Sequence, residues 1–518
     1  MKYRSDSLNL TRTLLLAIPL ALPVYACSDD GPATEENETG DGDPGDGDPT
    51  GDGDPTGDGD PTGDGDPTGD GDGDPGNPDF PLCSCAQFVD ANACHEVASG
   101  DSEALLVAAN SLEDGDALVI GLGHYELDNQ VTIRANGITI CGQGMGVEGS
   151  FDEGTILDFA PQVTQSNGLD VVGDDFAVMD LAIIDAKKDG LRIEDSDGVS
   201  IQRVRASWRN QGDSSNGSYG LYPVKVSHVL IEDSEAYNSS DAGIYVGQCQ
   251  HAIVRNNVAM GNVAGIEIEN TEFADVYGNL ATDNTGGLLI FDLPGNPVVG
   301  RDIHVHDNMV LANNRSNFAP GGTVRSIPVG TGTFVMASRR VEIHDNVYMD
   351  NATGDIAILS GLVIEGDAEA WFLTDDEIVG DLDGLDLPLG DGGLYNYRTN
   401  NVYVHDNMHS GSGFNPGLST VQQEFGILLA LLYGDTPVDA ILYDTIEESM
   451  FDPTDPMLNS NDNHICIGPS DDVRFASFHA EVTSMGGGTI DDLFRPLSPF
   501  TPFDCDDMAG GPIIDPEM

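Results

Sequence analysis

Hydrophobic residues in this chain fall in short alternating runs rather than in helical stripes. One run recurs as G-L-D-V at Gly168, G-L-R-I at Gly190, G-L-Y-P-V at Gly220, G-I-Y-V at Gly243, G-I-E-I at Gly265 and G-L-L-I at Gly287. From Gly220 onward the starts lie about 22 residues apart, the period of a solenoid coil. Within each run, apolar and variable residues alternate as they do in a half-buried strand. A second phrase follows about ten residues later: V-R-N-N at Val254, V-Y-G-N at Val276, V-H-D-N at Val305 and I-H-D-N at Ile343. Two or three short strands per coil, stacked coil upon coil, predict an all-β chain wound as a right-handed parallel β-helix.

A solenoid exposes apolar ends, which need caps. Asp101 or Ser102 starts a short amphipathic helix, Glu103–Leu112, with Leu105, Leu106, Ala109 and Leu112 on one side. The expected organisation is an N-terminal cap over 80–114, the β-helix over 115–410 and an irregular C-terminal cap region over 411–518. Two insertions interrupt the coils: the Gly/Pro-rich Asn317–Gly332, long enough to lie over a face, and the acidic Gly361–Tyr397. V-Y-V-H-D-N at Val402 then returns for one more coil. Phe425–Tyr433 reads as a helix packed on the C-terminal end, and His464–Cys505 as the terminal cap.

The N-terminus carries an address. Lys2, Arg4 and Arg12 precede an apolar stretch from Leu14 to Val24, too short to span a bilayer and shaped like a signal peptide over 1–26. Val24-Tyr25-Ala26-Cys27 resembles a bacterial lipobox, which implies cleavage before Cys27 and its acylation. The expectation is an exported protein, lipid-anchored in the bacterial cell envelope and open to surface display, touching the membrane through its anchor only. Residues 27–79 are dominated by G-D-G-D-P-T repeats, which bury nothing and repel one another, so they read as a disordered spacer. EF-hand and nonapeptide spacings are absent there, which argues against calcium binding by the Asp-Gly pairs.

Charge narrows the partners. The formal net charge is −69, and about −50 remains without the signal region and spacer. Nucleic acid is excluded as a partner, since a basic stripe is expected for it. Naked polyuronates are disfavoured unless calcium bridges the two surfaces. Of eight cysteines, Cys83, Cys85 and Cys94 crowd the start of the domain, while Cys466 and Cys505 flank its end. Bridges at both caps are expected in an exported protein. Seven cysteines remain after Cys27, and Cys249 is the one expected to stay unpaired as a small apolar residue.

"DGDALVIGLGHYEL" followed by "VTIRANGITICGQGMG" resembles the opening coils of pectin-lyase-like β-helix proteins. "SYGLYPVKVSHVLIEDSEAYNSSDAGIYVGQ", with "AGIEIEN" and "GGLLIFDLPG", is similar to a family of exported bacterial parallel β-helix repeat proteins. The resemblance covers about 80–360 and implies the fold and export; it implies no particular activity. D-P-H, carried by some alginate epimerases, and W-I-D-H, carried by pectate lyases, are both missing. Outside the spacer, Asp-Pro occurs at Asp452, Asp455 and Asp515, followed by Thr, Met and Glu.

Strand alternation places an outward column at Arg192, Tyr222, Tyr245, Glu267 and Leu289, about 4.8 Å apart per coil. Beside it are expected Glu194, Lys225, Gln248, Glu269, Asn270 and Asp292. Arg192, Tyr222 and Tyr245 form a candidate sugar platform. Lys225, Glu267, Glu269 and Asp292 are candidate catalytic groups, with acid and base flanking a glycosidic bond. Glu267 and Glu269 are equally candidate ligands for calcium, the one cofactor considered. A second column, Arg255, Tyr277, His306, His344 and His405, stacks three imidazoles that are candidate metal ligands or bases. Asn257, Asn279, Asn308, Asn346 and Asn407 are expected to form an internal amide ladder. Lys187, Lys188, Arg192, Arg203, Arg205 and Arg209 cluster in an otherwise acidic region and keep a lyase or epimerase in view.

These features point to an anchored β-helix that binds a polysaccharide or cell-surface glycan and, if it is an enzyme, processes it as a lyase, epimerase or glycoside hydrolase. The competing class is a non-catalytic interaction scaffold or adhesin. A compact Tyr222, Tyr245, Lys225 and Glu267 cluster walled by Asn317–Gly332 favours the enzyme; a flat solvated face favours the scaffold.

Overall fold

The computed structural model describes residues 83–518 except 150–152, 381, 383–388, 418–422, 451–455, 470–472, 479–493, 497–500, 506–512, 514–515 and 517–518. The signal peptide, Cys27, the spacer and parts of the expected C-terminal cap lie outside the described residues.

Each regular coil contributes three short strands, for example Ala242–Gly247, Gln250–Arg255 and Val258–Met260. The first strand of each coil stacks into a 12-stranded sheet, and the others join a 20-stranded sheet. Pairing between coils is parallel and in register: Ile244 lies beside Ile266, and Ile266 beside Leu288. All three are buried in the one large core cluster that runs through the coils. This is a right-handed parallel β-helix.

The recurring glycine has a steric cause. A Cβ on Gly265 would lie 2.5 Å from the Gly287 carbonyl oxygen of the next coil. The corners that separate the strands are taken by Asp, Asn and other residues with positive φ, such as Asp307, Asp345 and Asp406. Asp and Asn are among the residues that tolerate this region best.

The asparagine ladder is present. Each Nδ2 donates to the Oδ1 of the next coil's residue, at 3.0 Å for Asn257–Asn279 and Asn279–Asn308, 2.9 Å for Asn308–Asn346 and 3.0 Å for Asn346–Asn407. A second ladder, not anticipated, runs five residues later through Asn262, Asn284, Asn313 and Asn351. Both satisfy polar groups that the solenoid interior would otherwise strand.

At the N-terminal end, the capping helix spans Ser102–Asn110, and Asp101 accepts a 2.9 Å hydrogen bond from the Ala104 amide. Its Leu105 and Ala109 enter the core. Disulfides join Cys83 to Cys141, Cys85 to Cys94 and Cys466 to Cys505. Cys249 is free and buried, with burial pushing its thiol up to about 12. Insertion 361–397 folds around buried Trp371 and includes antiparallel strands Phe372–Thr374 and Gly393–Tyr395. The C-terminal helix is Gln423–Tyr433, with Leu429 packed on Val438, Leu442 and Ala476.

Candidate functional site

Strand pairing aligns Asp170, Arg192 and Tyr222 on successive coils, then Tyr245, Glu267, Leu289 and Phe334. The neighbouring row differs from the expected one. It reads Glu194, Val224, Gly247, Glu269 and Phe291. Lys225, Gln248, Asn270 and Asp292 form the next row, linked by corner backbone bonds, because the chain turns at a left-handed residue in the first three.

The face is covered rather than solvated, which corrects the picture of an open platform. Tyr245, Leu289, Phe291 and Phe334 form one buried cluster with Ala319, Val324 and Ile327 of the 317–332 insertion. Tyr245 is 5% exposed and Glu267 only 1%, whereas Tyr222 is half-buried. The sequence reading missed Tyr219 and Asp241, because both precede the alternating phrase. Tyr219 sits 4.5 Å from the Tyr222 ring and 4.7 Å from the Tyr245 ring, and Tyr222 and Tyr245 are 4.9 Å apart. A tyrosine trio therefore stands beside Asp241, Glu267 and Glu269.

Burial dominates the electrostatics of these acids. It pushes Glu267 well above the carboxylate range, reinforced by the charges of Asp241 and Glu269. Asp241 is likewise pushed well up by burial and by Glu269, against a hydrogen bond from Tyr219. Glu269 rises to about 7 through burial, opposed by hydrogen bonds from Tyr245 and Asn296 and reinforced by Asp292. Asp189, fully buried and close enough in space for its charge to raise Asp241 further, rises to about 6 for the same leading reason. Glu267 Oε1 and Asp241 Oδ1 are buried without a hydrogen-bond partner. Carboxyls raised in this way hold their protons to higher pH than free ones and can donate them to a basic oxygen.

The other candidates are engaged elsewhere. Asp292 pairs with Arg339 at 3.2 Å, both side chains having no exposure, and also accepts from Gly300 N and Asn396 Nδ2. This network ties the 361–397 insertion to the coils and holds Asp292 in a buried ion pair. Lys225 lies on the exposed corner, 3.9 Å from Glu194. Arg192 is held by Asp170 and Glu194, each at 2.9 Å. Arg203, Arg205 and Arg209 pair with Asp180, Glu235 and Asp158. The four arginines of the basic cluster are thus paired with acids. Glu267 and Glu269 do not take part in either of the close three-ligand groups among the described residues, which are Cys83, Cys141 and Asp180, and Asp275, His304 and His306. The first is spent on a disulfide.

On the other sheet, Tyr277, His306, His344 and His405 are in register. Their rings stack at 4.9, 5.2 and 4.9 Å with interplanar angles of 12° or less.

The model of the right handed beta helix region matches residues 136–303 and 214–408, together more than half of the chain. The chain belongs to the right-handed β-helix family. Among solved structures, this β-helix is similar to the Azotobacter vinelandii mannuronan C-5 epimerase AlgE4 A-module, at 15% identity and a TM-score of 0.40 over 74% of this chain and 94% of that one. It is also similar to DFA-IIIase from Arthrobacter chlorophenolicus A6, at 12% identity and a TM-score of 0.43 over 73% and 94%. A third is the alginate lyase from Paenibacillus sp. str. FPU-7, at 16% identity and a TM-score of 0.35 over 52% and 94%. The sequence matches no curated protein.

Proposed function

We propose that this β-helix binds a polysaccharide along the half-buried rim of Tyr219 and Tyr222 and cleaves or transfers it by acid–base chemistry at Glu267 and Asp241. The observation that carries the reading is the unpartnered Glu267 Oε1, buried next to a second acid and a tyrosine trio. Two carboxyls that cannot ionise together supply one proton and one base. Glu267, the more buried, is the proton donor to the leaving oxygen; Asp241, at the half-buried rim, is the base or nucleophile. Tyr219 and Tyr222 offer half-buried ring faces to sugar C–H surfaces.

A uronate lyase or epimerase fits less well, since it needs a cation for the substrate carboxylate. The arginines of the region are already paired with acids. A glycan of low charge density is the better match to a chain of net charge −69. The scaffold or adhesin reading draws support from the insertion packed over Tyr245.

The Val24–Cys27 resemblance supports lipid anchoring in the cell envelope, with the Asp/Gly/Pro spacer holding the domain away from the membrane. Cys27→Ser then releases the protein from the membrane fraction with the β-helix intact; unchanged retention refutes the anchor. A glycan array followed by product analysis tests the activity. Glu267→Gln retains binding and loses products by about 100-fold or more, the scale of a lost general acid. Equal turnover in the variant removes Glu267 from the mechanism.

A further inference from the structure

Three stacked histidines on the 20-stranded sheet each carry the same local device. His306 Nδ1 meets Asp307 Oδ2 at 2.8 Å, His344 Nδ1 meets Asp345 Oδ2 at 2.7 Å, and His405 Nδ1 meets Asp406 Oδ2 at 2.8 Å. The aspartates sit in left-handed corners, with φ of 53°, 52° and 49°, which fold each carboxylate back on its own histidine. A carboxylate only accepts, so each Nδ1 bears a hydrogen; His344 then keeps its lone pair on Nε2, whereas His306 Nε2 and His405 Nε2 also donate, to Asp275 and Glu342 at 3.0 and 3.1 Å. The sequence signal is the H-D-N triplet itself.

A fourth histidine, outside that column, completes a site. His304 stands two residues before His306 on the same strand and in register with Asp275 and Glu342. Its Nε2 lies 2.6 Å from His344 Nε2. Because the His344 atom bears the lone pair, His304 donates through Nε2–H, and its own lone pair is on Nδ1. That Nδ1 is 3.8 Å from Asp275 Oδ1, and the same oxygen is 3.0 Å from His306 Nε2. Two imidazole nitrogens and one carboxylate oxygen thus converge within 4.8 Å of one another, and an ion bound there takes the place of the proton that His306 Nε2 shares with Asp275.

We propose that His304 Nδ1, His306 Nε2 and Asp275 Oδ1 bind one divalent transition-metal ion of the zinc type. A tetrahedron with bonds of about 2.0–2.1 Å has edges of roughly 3.3 Å, close to the two separations above. Imidazole with carboxylate is a donor set for zinc, nickel or copper rather than for calcium, which takes oxygen shells. Asp307 and His344 act as positioning residues that fix the tautomers of the two histidine ligands, as carboxylates behind metal-bound histidines do. His304 and His306 are 19% and 18% exposed, so the ion enters from solvent and keeps a fourth position for water. The site lies on the other sheet from Glu267 and stands or falls independently of the glycan proposal.

The test uses the full chain after chelator treatment, in millimolar calcium to occupy the spacer's carboxylates. Zinc is titrated against a chromophoric chelator, and cobalt binding is followed by its visible absorption. One zinc per chain is expected, with a tetrahedral cobalt band. His304→Ala and His306→Gln each weaken zinc binding by about 100-fold or more, and Asp307→Asn by about 10–100-fold. His251→Ala, in the separate His228–His251 stack, leaves affinity unchanged. If His304→Ala unfolds, shown by loss of a cooperative melt, His306→Gln and Asp307→Asn carry the test. The proposal is overturned by a wild type that holds zinc no better than these variants, or by an equal loss in His251→Ala.

Discussion

Tyr245 stands directly beside Glu267 on adjacent coils, and the insertion at 317–332 closes over the tyrosine. One column of the solenoid therefore passes from a half-buried ring, Tyr222, to a buried ring and then to a buried acid within three turns. Position along the column decides what each residue does.

Burial separates the two tyrosines energetically. Tyr245→Ala lowers stability by about 3–5 kcal/mol, as loss of a buried aromatic does. Tyr222→Ala costs about 1 kcal/mol and weakens glycan binding, since its ring is only half-buried and its packing is cross-strand. Urea midpoints and glycan affinity measured on both variants distinguish these outcomes.

Glu269 gives a pH signature. Its carboxyl rises from 4.5 to about 7 on burial. Between those values the folded state holds a proton the unfolded chain has released, so the contribution is stabilising at low pH and fades as pH rises through about 7. The expected loss is on the order of 3 kcal/mol, at about 1.4 kcal/mol per unit. Glu269→Gln lacks that loss, so its advantage over wild type in chemical denaturation is larger at pH 8 than at pH 5. A constant difference across that range overturns the assignment.

The Asp292–Arg339 pair has a testable asymmetry. Arg339→Met strands a buried carboxylate and costs about 3–5 kcal/mol. Asp292→Asn combined with Arg339→Met removes both charges and is less destabilising than Arg339→Met alone. Denaturant midpoints of the single and double variants measure the difference.

Asn308→Ala breaks the ladder in the middle. It deprives the Asn279 backbone N–H and one Asn279 Nδ2 hydrogen of their acceptor and Val276 O of its side-chain donor, while Asn346 Oδ1 keeps the Asn308 backbone N–H. With about 1–3 kcal/mol for each stranded buried group, a loss of at least about 3 kcal/mol is expected. Asn110→Ala, on the exposed capping helix, changes stability by less than about 0.5 kcal/mol. Thermal melts of the two variants check the contrast.

The recurring Gly-Leu and Gly-Ile phrases and the V-x-x-N spacing were enough for the fold. A coil repeats one set of constraints, close approach at Gly265 and an amide at Asn279, and repetition writes them into the chain at a readable interval. The same alternation located Tyr222, Tyr245 and Glu267 in one column and stacked His306 on His344. The second ladder at Asn262 was equally legible, five residues beyond the first.

The sequence did not determine what lies over the column. Whether Tyr245 meets sugar or Val324 depends on how an irregular Gly/Pro-rich insertion folds back, which no periodicity encodes. Tyr219, Asp241 and His304 joined their sites through corners and neighbouring rows, where a single left-handed residue shifts the count by one. Asp292 looked like a catalytic acid because its partner, Arg339, lies 47 residues along the chain, beyond the range of local pattern. Periodic contacts are local and repeat, so they can be read from the chain; the environment of a carboxylate is made by segments remote in sequence, and only their packing decides its charge.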